Sequence, residues 1–237
     1  MGCAEIESCR VCACVDFLKI LSMGKFGLTG HFPRPTEQVE ELEIDLVRCV
    51  GCGLVQLAHN YDLSTLYGYN YGYRSGLNQQ MISHLKGITE YCLSLVELEA
   101  GDIIVDIGSN DGTSLSFYPE SCRRVGIDPT AGKFKQYYPE NVEVIESFFP
   151  VESEYGLSNV KIVNSIACFY DLLDPVAFAR AVAKILSREG IWVLEMSYLP
   201  EMLRTNSYDT ICHEHLEYYD LKQINSILDK ADLYIYE

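Results

Sequence analysis

The sequence predicts an α/β chain, a parallel, doubly wound sheet preceded by a small module built on four cysteines. Three observations carry this. Short apolar β-type runs recur through the later part of the chain, separated by segments of helical periodicity. Two Cys-x-x-Cys pairs, Cys9/Cys12 and Cys49/Cys52, lie near the start. A glycine turn, DIGSNDG, directly follows the first apolar run of the expected sheet.

Residues 1–57 are rich in Cys, Gly and Pro and carry only short apolar segments, which reads as a zinc-binding module. Two thiolate pairs can close a tetrahedral site around zinc, each bending through a tight knuckle that Gly53 accommodates after the second. Four thiolates leave no open position, so such a zinc is structural. Four unrelated core cysteines are the competing reading. A segment this poor in apolar residues needs outside help to fold, which favours the metal.

Residues 58–77 form a tyrosine-dense connector, HNYDLSTLYGYNYGYRSGLN, and residues 78–237 form the sheet domain. There Met81, Leu85, Ile88, Cys92, Leu95 and Val96 mark one face of a helix. The β-type runs are IIVDI, RVGID, VEVI, VKIVNSI and IWVLEM. Between the last two, DPVAFARAVAKILS reads as a helix with Asp174 at the N-cap and Pro175 in its first turn. LKQINSILDKAD reads as another helix, leading into a sixth strand at LYIYE where the chain stops. Nearly continuous apolar strand cores alternating with long helices indicate parallel strands buried on both faces.

Lys and Arg number 18 against 34 Asp and Glu, a formal net charge of -16. Such a surface repels phosphate backbones and anionic lipid, which argues against nucleic acid or a membrane as partner. No apolar run approaches the ~20 residues that cross a bilayer. The N-terminus lacks a secretory signal, and Gly2 has no supporting context for acylation. A cytoplasmic location follows, where the ten cysteines stay reduced and serve as ligands or core residues.

In the glycine turn, Asp106 ends the first strand, Gly108 starts the loop, Ser109, Asn110 and Asp111 fill it, and Gly112 opens a helix. Asp128, followed by Pro129, ends the next strand about 20 residues on and is placed to accept ribose hydroxyls. Dinucleotide-binding folds and class I methyltransferases share this layout. A pyrophosphate needs amides free of carboxylates at the turn, whereas Asp106 and Asp111 suit a cationic sulfonium carrying an ammonium group. That favours S-adenosylmethionine over a plain structural turn.

After the fifth strand, where Glu195 is placed toward the ligand crevice, His213, Glu214, His215 and Glu217 crowd together. A histidine can take a proton while a neighbouring carboxylate orients it. A second metal site and a solvated helix start are the competing readings.

The ordered set CRVC, CVGCGLVQL, YGYRSG, DIGSNDGT, VGIDP and CHEHLEYY resembles the sugar C-methyltransferases that act on nucleotide-linked keto-deoxysugars, over nearly the whole chain. The resemblance implies a zinc module, a Rossmann-like class I methyltransferase sheet and a further C-terminal domain. It implies that a base removes the proton beside a ketone and that the enolate attacks the sulfonium methyl. That base falls on His215, with Glu214 assisting and Tyr73 near the sugar. Cys212 stands where many relatives have a tyrosine, and the C-terminal domain and last strand of the core are missing, so activity is expected to need them or a partner chain. Two other functions fit the same residues. One is O- or N-methylation of another small metabolite; the other is a non-catalytic S-adenosylmethionine- or zinc-binding fragment that works with a partner.

Overall fold

The computed structural model describes residues 3–30, 32–68 and 71–236. Gly2, part of the connector at Tyr69 and Asn70, and the terminal Glu237 lie outside the described residues. The strands are β1 (Cys3–Glu5), β2 (Phe17–Gly27), β3 (Glu41–Cys49), β4 (Val55–Leu57), β5 (His59–Tyr61), β6 (Ile103–Ile107), β7 (Arg123–Ile127), β8 (Val142–Ile145), β9 (Val160–Ile166), β10 (Leu186–Glu195) and β11 (Glu217–Tyr218). The helices are α1 (Leu63–Leu66), α2 (Gln79–Leu95), α3 (Ala131–Phe134), α4 (Pro175–Ile185), α5 (Leu199–Thr205) and α6 (Leu221–Asp229). Two compact units share the chain: Met1–Gly72 with Phe169–Arg180 and Met196–Glu237, and Tyr73–Cys168 with Ala181–Glu195. The sequence suggests boundaries near residues 57 and 77. Two later segments group with the unit that begins at the N-terminus.

The second unit holds the parallel sheet, in the order β10-β9-β6-β7-β8. Its apolar strand cores are buried as expected, with Ile104, Val105, Val125, Ile162 and Val163 fully enclosed. Leu115, Tyr118, Cys122 and Tyr138 pack with Ile104 and Ile162, and α2 contributes Cys92. Long helices do not join all the strands. A single 3-10 turn, Ser114–Phe117, lies between β6 and β7, and the four-residue α3 lies between β7 and β8. Serines and small residues after the loop supply too few apolar positions to sustain a longer helix. At Gly190 a Cβ would come within 2.5 Å of the Val160 carbonyl, so the register shift in β10 requires glycine there.

The N-terminal unit has more core of its own than its composition suggests. Its four-stranded sheet runs β11-β4-β3-β2. In β3 the alternation of Leu42, Ile44 and Leu46 with exposed Glu41 and Glu43 turns one face inward. These residues pack with Leu28, Leu57, Tyr61 and Leu66, and with Leu216 and Tyr218 from far along the chain. The C-terminal α6 is opened by a capping box in which Asp220 and Gln223 satisfy each other's backbone amides. Asp174 caps α4 as expected, accepting the Ala177 amide at 2.9 Å. Residues 233–236 form no strand, so the expected sixth strand is absent among the described residues.

Arg10 ties this unit together from inside. Its guanidinium donates to Gln56 Oε1 (3.1 Å), Leu57 O (3.0 Å), His59 O (2.9 Å) and Asn60 Oδ1 (2.6 Å). Its Nε lies 3.6 Å from the fully buried Glu217. Only a planar fork reaches all of these acceptors at once. Arg10→Ala is therefore expected to cost about 3–5 kcal/mol, and Arg10→Lys nearly as much, because buried acceptors lose their donor in both. Urea unfolding checks this; a loss below about 1 kcal/mol for either variant would contradict it.

Candidate functional site

Each Cys-x-x-Cys pair folds into the same knuckle. Cys9 N donates to Cys14 O at 2.8 Å and Ala13 N to Cys9 O at 2.9 Å. In the second knuckle Cys49 N donates to Leu54 O at 2.9 Å and Gly53 N to Cys49 O at 3.0 Å. The turn demands a left-handed residue, met by Gly53 at φ 82 and, less cheaply, by Ala13 at φ 59. All four Sγ atoms lie within 4.8 Å of one another, with Cys9–Cys52 at 3.6 Å and Cys12–Cys49 at 3.5 Å. Tetrahedral zinc with bonds of about 2.3 Å holds its sulfurs about 3.8 Å apart, so this donor set fits zinc. Burial pushes the Cys52 thiol well up, a cost that a bound cation removes. Two remote residues brace the knuckles: Gln223 Nε2 donates to Cys52 O at 2.9 Å, and Lys230 Nζ donates to Val11 O. No spacing in the sequence points to either.

In the sheet unit, Gly108 (φ 76), Asn110 (φ 52) and Gly112 (φ 75) are all left-handed, so the loop turns sharply at the carboxyl end of β6. A Cβ on Gly112 would strike the Tyr138 ring, and Tyr138 Oη in turn bonds Ser109 Oγ (2.7 Å) and donates to Asn110 O (2.9 Å). The Gly108 amide donates to Ile127 O, the Gly112 amide to Ser109 O and the Asn110 amide to Asp128 Oδ2. Those three donors are thus spent within the protein, unlike a pyrophosphate cradle. Gly112 opens no helix: the 3-10 turn begins only at Ser114.

The acidic residues differ from a simple display of charge. Asp106 is almost fully buried, and burial, with Asp128 nearby, pushes its carboxyl up to about 8, so it is neutral at pH 7. Asp111 is already engaged: Oδ1 accepts from Thr113, and Oδ2 from the Gly76 amide at 2.9 Å, with Arg74 3.8 Å away. Asp128 accepts the Asn110 amide (2.9 Å) and both the amide and hydroxyl of Thr130 (2.6 Å each). A carboxylate has about four acceptor positions, so one remains for a ligand hydroxyl. Pro129, beside it, is half-buried. Residues 73–76 clasp the loop: Asn110 Nδ2 donates to Tyr73 O (3.1 Å) and Ser75 N donates to Asn110 Oδ1 (2.8 Å). The Tyr73 side chain itself is exposed. Glu195 is paired with His84 Nε2 at 2.8 Å.

The two histidines of the H-E-H stretch, in the N-terminal unit, have different fates. His213 is fully buried; its Nδ1 accepts the Thr29 amide and its Nε2 donates to Leu42 O, both at 3.2 Å. With both nitrogens committed it can neither ligate a metal nor move a proton. His215 donates from Nδ1 to Thr210 O at 2.7 Å, since a carbonyl only accepts, which leaves the lone pair on Nε2. Burial lowers its pKa, keeping it neutral and basic at pH 7. Tyr170 packs edge-on against its ring, centroids 4.3 Å apart. Glu214 lies against Gly30, where a Cβ would collide with its carboxylate. Among the described residues, the four cysteines form the metal-competent cluster, and all ten cysteines are free thiols.

The family described as "Methyltransferase domain" matches residues 77–237, and a family described as a zinc binding domain matches residues 9–67. The chain belongs to the methyltransferase-domain family. Its sheet and loop are those of an S-adenosylmethionine-binding fold. C-methyltransferase NovU of Streptomyces niveus is 29% identical over 96% of this chain, which spans 56% of that relative's length. Among solved structures, the complex of the Haloferax volcanii Trm112 methyltransferase activator with a methyltransferase aligns at TM-score 0.55 and 18% identity, over 68% of this chain and 74% of that one. Mitomycin 7-O-methyltransferase MmcR aligns at TM-score 0.52 and 12% identity, over 68% of this chain and 50% of that one. These two likenesses show the fold. No helix among the described residues is long and apolar enough to cross a membrane.

One zinc per chain is expected by elemental analysis, and Cys49→Ser should lose it together with several degrees of melting temperature; a zinc-free wild-type chain that melted unchanged would rule the site out. Asp106 titrates near 3.9 when unfolded and at about 8 when folded, so between these the folded state holds the extra proton. Stability must then fall as pH rises across that window, and Asp106→Asn should flatten the fall. Melting curves at about pH 5 and about pH 8 test this, and an equal slope in the variant would contradict it.

Proposed function

We propose that this chain is an S-adenosylmethionine-dependent C-methyltransferase acting on a nucleotide-linked keto-deoxysugar. The observation that carries the reading is the His215 tautomer, a neutral imidazole with Nδ1 tied to the Thr210 carbonyl and Nε2 left to accept a proton. S-adenosylmethionine supplies an electrophilic methyl group when bound. His215 takes the proton from the carbon beside the ketone, and the adjacent Glu214 favours the imidazolium that results. Asp128 offers its remaining acceptor position to the ribose, while Asp106, Gly108, Ser109, Asn110, Asp111, Gly112 and Pro129 shape the donor loop. Tyr73, its backbone fixed by Asn110, presents its exposed ring to the sugar.

The relative NovU is named a C-methyltransferase, which supports attack by carbon over the O- or N-methylation that the fold also permits. Carbon attack needs a base able to form an enolate. The net charge of -16 accords with a small-molecule substrate in place of nucleic acid.

His215→Gln is expected to abolish methyl transfer, with at least a ~10³-fold drop in kcat, while calorimetry shows unchanged donor affinity. Asp128→Ala should weaken donor binding by about tenfold or more, since a charge-assisted hydrogen bond and a loop brace go together. A His215→Gln chain that still turned over a keto-sugar within tenfold of wild type would sink the base assignment.

A further inference from the structure

Asp171 closes the 3-10 turn Phe169–Asp171, shortly after β9, and the chemistry above gives it no part. Its carboxyl is satisfied on one side only. Tyr67 Oη donates to Oδ2 at 2.7 Å, while Oδ1 is buried without a hydrogen-bond partner. A buried polar atom left this way is uncommon and calls for a reason. Burial, with the charge of Glu214 adding to it, holds Asp171 well above the usual carboxylate range, and burial likewise raises Tyr67. Burial therefore favours the protonated form of both groups. With Oδ2 accepting from Tyr67, the protonated form carries its proton on Oδ1, the side without a partner.

Contacts within the same unit join this acid to the base. Leu216 N donates to Tyr170 O at 2.7 Å, and the Tyr170 ring packs on His215, so the turn carrying Asp171 is pinned to the segment carrying His215. Tyr67 follows Leu66, whose carbonyl borders Gly30 along with the Glu214 carboxylate. The Cys212 thiol, pushed up to about 12 by burial, is neutral and adds no charge.

We infer that Asp171, steadied by Tyr67, is the acid that hydrogen-bonds the substrate's ketone oxygen from Oδ1 while His215 removes the neighbouring carbon-bound proton. This rests on the keto-sugar reading above. The C–H bond breaks, its proton goes to His215 Nε2, and its electron pair forms the carbon–carbon double bond as the carbonyl π pair moves to oxygen. Asp171 stabilises that oxygen through its hydrogen bond, as neutral carboxyls in apolar sites can. When the enolate carbon takes the methyl group and S-adenosylhomocysteine leaves, the ketone re-forms and Asp171 retains its proton.

The test follows deuterium entry from D2O beside the ketone of dTDP-4-keto-6-deoxyglucose, with the methyl donor omitted, on the full zinc-loaded chain. Asp171→Asn is expected to slow exchange and methylation together by about 10²-fold with little change in KM, while zinc content and donor affinity stay at wild-type values. Infrared difference spectra should show a protonated carboxyl band at neutral pH that Asp171→Asn removes. Exchange within about threefold of wild type in Asp171→Asn, beside an inert His215→Gln, would overturn the role of Asp171 and leave the base standing. Loss of the infrared band's assignment to Asp171 would overturn it equally. No exchange by the wild-type chain would overturn the keto-sugar reading and this inference with it.

Discussion

Gathering four thiols within 4.8 Å is the constraint around which the N-terminal unit is arranged. Thiols packed this closely are tolerable once deprotonated on a cation, and the knuckles exist to aim them at one point. Each knuckle uses the same pair of backbone hydrogen bonds and the same left-handed residue, so the two halves of the site are near copies. The first strands of the unit hang from these turns: Cys49 ends β3, and Arg10, inside the first pair, gathers acceptors from Gln56 to Asn60. The C-terminal α6 completes the arrangement through Gln223 and Lys230, which hold the carbonyls of Cys52 and Val11. Outer contacts of this kind set the orientation of metal ligands. A zinc at this position thus fastens segments from both ends of the chain.

The parts legible in the sequence were those governed by local rules. The apolar strand runs, the amphipathic α2 and the Asp174 cap depend on neighbouring residues, and they stand where periodicity puts them. The two cysteine pairs were legible because metal geometry fixes their spacing. What the pattern could not reveal were the long-range partners. The core under β3 draws on Leu216 and Tyr218, so a segment that looks starved of apolar residues is not. The crossovers after β6 and β7 look helical by position, yet they contract to short turns.

The same limit applies to the candidate site. Sequence identifies a cluster, His213 to His215, but cannot say which ring is spent on structure. Thr29 and Leu42, far away in the chain, decide it by occupying both nitrogens of His213. Nor does composition show that Asp106 is neutral, because its state depends on burial and on Asp128. Residue type supplied the candidates, and three-dimensional surroundings assigned their protonation.

β2 is a long edge strand whose outward residues include Leu18, Ile20, Leu21 and Phe26, all substantially exposed. A flat strand of that composition would template fibre growth by adding copies edge to edge. Here Lys19 and Lys25 place cations along it, Gly24 bends it at φ 84, and its pairing with β3 shifts register twice. Those interruptions deny a second strand a straight rail of donors and acceptors along this edge.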